Sequence, residues 1–317
     1  MKEPDGPILS ATVVRLDARG CLVRLDEALE DLPGDGRELF CGVRGRLHAK
    51  RRQHQRAPVA VGDRVQVVRT QEDRGGVVAV EPRTATLSRP GGRTRREHVL
   101  AANVDQVVIV STAADPAFVP GLVDRVLAVV EFSKLDAVIA VNKMDLAEEA
   151  PDELEWYRFL GYTVIETSVV SGQGIEALTE QLTGRISVVT GHSGVGKSSL
   201  LNAVQPELGI KVGDVNAVTR KGTHTTTAAT WFPLEAGGAV IDTAGVREFG
   251  LYGIPPRDVG WLFRDLAKLA PECRFPDCSH RHEPDCMVLA AVEEDVLPAF
   301  RYESYLRILE SLETDAR

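Results

Sequence analysis

The octapeptide Gly191-His192-Ser193-Gly194-Val195-Gly196-Lys197-Ser198 has the G-x-x-x-x-G-K-[ST] spacing of a phosphate-binding loop. An apolar run, Ile186–Thr190, precedes it as a buried strand, and Ser198–Val204 can continue as a helix. This arrangement constrains the chain strongly, because such a loop belongs between a parallel strand and the helix that follows it. Glycine lets the backbone wrap close to phosphate oxygens, while N–H groups and the helix N-terminus supply positive potential. Lys197 is placed to reach the β- and γ-phosphates and Ser198 to offer a hydroxyl to Mg²⁺, with Ser199 completing the lining.

The flanking sequence alternates strands and helices from Ala101 onward, which predicts a parallel sheet covered on both faces. Strands are expected at Gln106–Ser111, Ala137–Val141 and Tyr162–Glu166, and helices at Leu122–Phe132, Pro151–Leu160 and Ile175–Leu182. The strand at 137–141 runs into Asn142-Lys143-Met144-Asp145, an N-K-x-D at the rim where α/β sheets bind ligands. The Asp145 carboxylate can accept two hydrogen bonds from guanine N1–H and its 2-amino group. Adenine offers neither donor, so an ATPase of similar fold is disfavoured. Asn142 can meet the Hoogsteen edge, the Lys143 stem can lie across base or ribose, and the amides around Thr167 and Ser168 suit the guanine O6.

Beyond the phosphate loop, Asp242-Thr243-Ala244-Gly245 follows the apolar strand Ala239–Ile241. D-x-x-G there directs the Asp242 carboxylate toward Mg²⁺ and the Gly245 amide toward the γ-phosphate. A threonine between loop and strand would complete the metal shell, Thr226 ahead of Thr225, when the γ-phosphate is present. Val246 cannot orient water, so hydrolysis should be slow alone; His224 is the nearest candidate to assist, if it is not a solvated or partner-facing side chain. N-K-x-D and the serine loop precede the phosphate loop, the reverse of ordinary GTPases, so the domain is read as circularly permuted.

Cys273, Cys278, His280 and Cys286 supply three thiolates and an imidazole within a short stretch. Four protein ligands make a closed structural zinc site rather than a catalytic one, with His282 as an alternative to His280. Helical spacing surrounds it at Val259–Leu269 and Phe300–Leu312. Cys21 and Cys41 stand apart and are read as small, partly buried side chains.

A chain of 317 residues needs more than one core. We divide it into an OB-like β-barrel at 1–82, a linker at 83–100, a permuted α/β P-loop GTPase domain at 101–255 and a zinc-binding helical domain at 256–317. The barrel rests on short strands at Ala11–Leu16, Cys21–Leu25, Gly45–Leu47, Asp63–Val68 and Gly76–Val80. Net charge is −9, yet Arg44, Arg46, Lys50, Arg51, Arg52 and Arg56 fall together without an acid, and Arg93, Arg95 and Arg96 form a second run. Few aromatics accompany them, which favours contact with an RNA backbone over base stacking. The absence of a long apolar run and of a signal peptide gives the expectation of a cytoplasmic protein with no membrane contact.

These motifs together resemble the small-ribosomal-subunit-dependent GTPase A family of bacteria. The resemblance spans the basic barrel, Ala102–Gln106, the permuted N-K-x-D, the phosphate loop, His224-Thr225-Thr226, Asp242–Phe249, the Cys/His group and Arg301-Tyr302-Glu303-Ser304-Tyr305. It implies a monomeric enzyme that hydrolyses GTP to GDP with Mg²⁺, carries one structural Zn²⁺ and acts in late maturation of the 30S subunit. It also implies rRNA contact through barrel and zinc domain, and stimulation by the subunit. The Arg-rich segment 83–100 and the acidic C-terminal stretch depart from the pattern. A zinc-containing RNA-binding scaffold that uses GTP only as an occupancy signal is the competing reading.

Overall fold

The computed structural model describes residues 6–43, 58–71, 73–90, 97–210, 229–242, 251 and 253–315. Its N-terminal strands are β1 (Ile8–Asp17), β2 (Gly20–Leu25), β3 (Glu38–Val43), β4 (Arg64–Gln71) and β5 (Arg74–Val80). They run β1-β2-β3-β5-β4, and β4 pairs back onto β1 to close the barrel. Alternate residues fill its interior, with Ala11, Val13, Cys21, Val23, Leu39, Cys41, Val65 and Val67 all fully buried. The third strand therefore lies earlier than Gly45–Leu47. Leu39 and Cys41 carry its inward alternation, a weak signal beside an acidic loop, and Gly45–Leu47 lies outside the described residues, as do the basic clusters 44–56 and 93–96.

The segment 83–100 is not a structureless linker. It contains an antiparallel pair, β6 (Thr86–Pro90) and β7 (Glu97–Ala102). Leu87 and Ala101 are completely buried against the following domain, and burial of a leucine contributes about 1.5–3 kcal/mol. Arg83 grips the fully buried Asp63 through Nε at 2.6 Å and Nη2 at 2.8 Å. Asn103 donates to the Gly62 carbonyl at 2.9 Å and accepts from the Thr84 amide at 3.0 Å. Composition hides this order, because each anchor finds its partner far along the chain.

Next come β8 (Gln106–Thr112), α1 (Pro120–Ser133), β9 (Asp136–Asn142), α2 (Glu153–Phe159), β10 (Thr163–Glu166) and α3 (Ile175–Leu182). Then follow β11 (Ile186–Thr190), α4 (Lys197–Val204), β12 (Thr230–Pro233) and β13 (Ala239–Asp242). Strands β10, β9, β8, β11 and β13 are parallel neighbours in that order, and β12 pairs antiparallel with β13. Successive residues serve opposite faces: Val107, Ile109 and Ile139 pack with α1 and α2, while Val108, Val110 and Val138 pack with α3 and α4. Such two-sided burial explains their near-continuous apolar sequence.

Barrel and parallel sheet are not separate. β1 pairs with β4 as far as Thr12↔Arg64, passes an irregularity between Val13 and Arg15, and pairs with β12 at Arg15↔Thr230. Among the described residues one sheet of eleven strands results.

The C-terminal region is helical: a 3₁₀ segment Pro256–Leu262, then α5 (Arg264–Leu269), α6 (Met287–Glu293) and α7 (Ala299–Asp315). The helix expected over Val259–Leu269 is broken at Phe263, whose φ of −104° and ψ of 110° are extended. Arg301 of α7 is 1% exposed and binds Asp265 of α5 and Asp124 of α1, while Tyr157 of α2 donates to the same Asp124 carboxylate. No helix among the described residues is long and apolar enough to cross a membrane.

Candidate nucleotide site and metal cluster

The phosphate loop turns between β11 and α4 with Gly191, Gly194 and Gly196 at positive φ. A Cβ on Gly191 would stand 2.1 Å from the Val110 carbonyl oxygen, and one on Gly196 would stand 2.5 Å from Asn142 Nδ2. Only glycine lets the loop lie this close to its neighbours. Val195 is buried, while His192, Ser193 and Gly194 are exposed and leave the loop's outer surface open. The ring Nδ1 of His192 lies 3.0 Å from the Ser193 carbonyl. Ser198 and Ser199 occupy the first turn of α4, where unpaired N–H groups gather.

Lys197 Nζ donates to the carbonyls of Gly191 and His192, each at 2.8 Å. Burial depresses its pKa, an effect opposed by Asp242, and burial raises Asp242, an effect opposed by Lys197. Lys197, at the start of α4, and Asp242, at the end of β13, are thus electrostatic neighbours. Thr226, His224, Gly245, Thr225 and Val246 lie outside the described residues.

The N-K-x-D stretch meets the loop directly. Asn142, 3% exposed at the end of β9, donates Nδ2 to the Val195 carbonyl at 3.0 Å. Lys143 adopts the left-handed region at φ 60° and donates Nζ to the Asp115 carbonyl. The exposed Asp145 accepts at Oδ1 from the buried Ser168 hydroxyl at 2.6 Å, and Ser168 Oγ accepts from the Ser171 amide at 3.1 Å. Thr167 is held by its amide to the Val141 carbonyl at 2.7 Å, and its own carbonyl accepts from Met144 N at 3.2 Å. Sequence reasoning gave Asn142 to the base and did not foresee that its Nδ2 also ties the base-side loop to the phosphate loop. It missed the Asp115 carbonyl, since a backbone acceptor leaves no side-chain signature.

Cys273, Cys278, His280 and Cys286 bring their ligand atoms within 4.8 Å of one another. Cys273 Sγ lies 3.6 Å from His280 Nδ1 and 3.9 Å from Cys286 Sγ, and Nδ1 lies 3.4 Å from Cys286 Sγ. Tetrahedral bonds of about 2.3 Å to sulfur and about 2.0–2.1 Å to nitrogen require separations close to these. The donor set therefore fits zinc, and it gathers His280 rather than His282. The knuckle is braced from outside: Tyr305 donates to the Ser279 carbonyl at 2.7 Å, Tyr302 to the His280 carbonyl at 2.8 Å, and Glu283 accepts from the Ser279 amide at 2.7 Å.

Residues 80–252 match the family model described as RsgA GTPase. The chain is 37% identical over 287 residues to the small ribosomal subunit biogenesis GTPase RsgA of Bacteroides fragilis, covering 88% of this chain and 92% of that one. It is 43% identical over 266 residues to the protein of the same name from Chlorobaculum parvum, covering 80% and 86%. Among solved structures, YjeQ from Thermotoga maritima superposes with a TM-score of 0.72 at 31% identity, covering 96% of this chain and 99% of that one. YloQ, described as a circularly permuted GTPase, superposes at 0.69 and 24% identity, covering 99% of each.

Proposed function

This chain belongs to the RsgA GTPase family and is a GTP hydrolase; from that premise we propose that it serves biogenesis of the small ribosomal subunit, with its residues dividing the work as follows. The carrying observation is the joining of the two loops through Asn142 and Val195, beside a carboxylate that Ser168 holds at the rim. Asp145 reads guanine, Asn142 and Thr167 with Ser168 fix the base-side loops, and Lys143 flanks base or ribose. Residues 191–199 surround the phosphates. Lys197 exchanges its two carbonyl partners for β- and γ-phosphate oxygens, which the short reach of those bonds allows.

Ser198 and Thr226 would hold Mg²⁺, with the Asp242 carboxylate beside them. The ion would neutralise charge developing on the phosphates. The Gly245 amide meets the γ-phosphate, and His224 positions water in place of the side chain that Val246 lacks. Cys273, Cys278, His280 and Cys286 would hold zinc as a folding element. The region up to residue 82 and the zinc region face rRNA.

GTP turnover measured with and without purified 30S subunits, for the unaltered chain and Lys197→Ala, tests this reading. A subunit-dependent rise that the variant loses is the expected result. A chain that binds both GTP and subunits without any rise would instead be the scaffold.

A further inference from the structure

The loop between β2 and β3 carries Asp26, Glu27, Glu30, Asp31 and Asp35 against a single arginine, Arg37. It is no loose excursion, because Leu32 is buried in the barrel core and Leu29 packs against that core. Three of its carboxylates pair with barrel arginines. Asp35 takes Arg24 at 2.6 Å, Asp26 takes Arg64 at 2.7 Å, and Asp31 takes Arg69 at 2.7 Å. Arg64 meets Asp26 through both terminal nitrogens and also donates to Thr12 Oγ1 at 2.9 Å. Thr12 is in register with Arg24 on one side and Arg64 on the other, so both arginines share one outer row across β2, β1 and β4.

A carboxylate and a phosphate present the same two-oxygen edge to a guanidinium fork. The pairs are partly solvated, with side-chain exposures of 26% and 49%, 37% and 44%, and 21% and 62%. Exposed pairs of this kind hold their partners by roughly a factor of 1.5 to 5 each, whereas phosphate contacts gain from counterion release. Such pairs are strong enough to occupy the arginines and weak enough to be replaced.

We propose that the loop 26–37 is an internal mimic of an RNA backbone, whose Asp26, Asp31 and Asp35 occupy the phosphate-binding arginines Arg64, Arg69 and Arg24 until RNA phosphates take their place. The device lowers affinity for arbitrary RNA and leaves the arginines available to a partner held by other contacts as well. It rests on the proposed RNA-facing role of the barrel.

The test uses the full chain and a short RNA duplex, with affinity measured across a salt series. Asp26→Asn, Asp31→Asn and Asp35→Asn together should raise affinity about tenfold and steepen the log–log salt slope by up to about 0.9 for each arginine released. A charge-matched control, Glu27→Gln, Glu30→Gln and Glu38→Gln, removes three acids that make none of these pairs; it should give a smaller gain and an unchanged slope. Adding Arg24→Gln, Arg64→Gln and Arg69→Gln to the aspartate variant should abolish the gain. An equal gain in the control, a gain that survives loss of the arginines, or no gain in a variant that retains basal GTP turnover would overturn the proposal. Failure of subunit-stimulated turnover in the unaltered chain would instead overturn the proposed function.

Discussion

Asn142 and Val195 meet through a buried hydrogen bond of 3.0 Å, side-chain amide to backbone carbonyl, that ties the N-K-x-D loop to the phosphate loop. Asn142→Ala leaves that carbonyl without its donor, a loss of about 1–3 kcal/mol. GTP affinity and thermal stability should fall together, read by nucleotide titration calorimetry and by melting. A loss of affinity with an unchanged melting temperature would show that the bond does not brace the free protein.

Asp145→Asn replaces an acceptor with a group that presents donors toward the guanine 2-amino edge. GTP should bind more weakly by about 1–3 kcal/mol, and xanthosine triphosphate should gain, since its 2-oxo group needs a donor. Competition between the two nucleotides measures the exchange. Ser168→Ala, which frees the carboxylate without removing it, should weaken GTP binding less.

Arg301 is enclosed between Asp124 and Asp265. Arg301→Met strands two buried carboxylates, and removal of one partner from such a group costs about 3–5 kcal/mol. Urea unfolding should show the loss. Changing Asp124 and Asp265 to Asn in the same chain should recover a large part of it, since the harm lies in the unpaired charge.

The same cluster sets a pH dependence. Burial alone would raise the Asp265 carboxyl, but hydrogen bonds from Arg301 and Trp156 hold it below the ordinary carboxylate value. The folded state therefore binds this proton less readily than the unfolded chain, so the stabilisation is present above about pH 4 and fades as pH falls through the folded value. Burial shifts Asp124 upward, so its protonation favours the folded state and opposes the trend. Asp265→Asn should flatten the acid limb of a stability–pH curve.

One zinc per chain should survive purification and be counted by elemental analysis. Cys286→Ser should release the metal and destabilise the C-terminal helices, because a structural zinc site contributes folding energy directly. Tyr305→Phe loses only the bond to the Ser279 carbonyl, about 1 kcal/mol, and should keep the metal.

Much of the parallel sheet was legible because its signals are local. β11 and α3 fall at the residues that periodicity predicts, and the Cys/His spacing marks the metal cluster. What escaped depends on distant partners. Arg83 reads as a linker charge until Asp63 is seen buried beneath it. Leu87 is one leucine in a Pro/Gly-rich stretch until β7 pairs beside it. Glu38–Val43 hides a strand because cysteine and glycine dilute its alternation. His280, by contrast, was the imidazole that the sequence favoured, and the distances gather it with the three cysteines.

The change of partner within β1 bears on how the protein is made. Its first half can pair with β4 as soon as the barrel strands have left the ribosome, but Arg15 must wait for Thr230. Joining those two is a contact between distant parts of the sequence, the slow kind in folding. Synthesis from the N-terminus thus leaves a barrel whose first strand, paired with β2 at Arg15, still has its other edge open there, and the central sheet engages that edge only when β12 arrives. That junction lies between β1 and the strand that begins just after the segment holding His224 and Thr226.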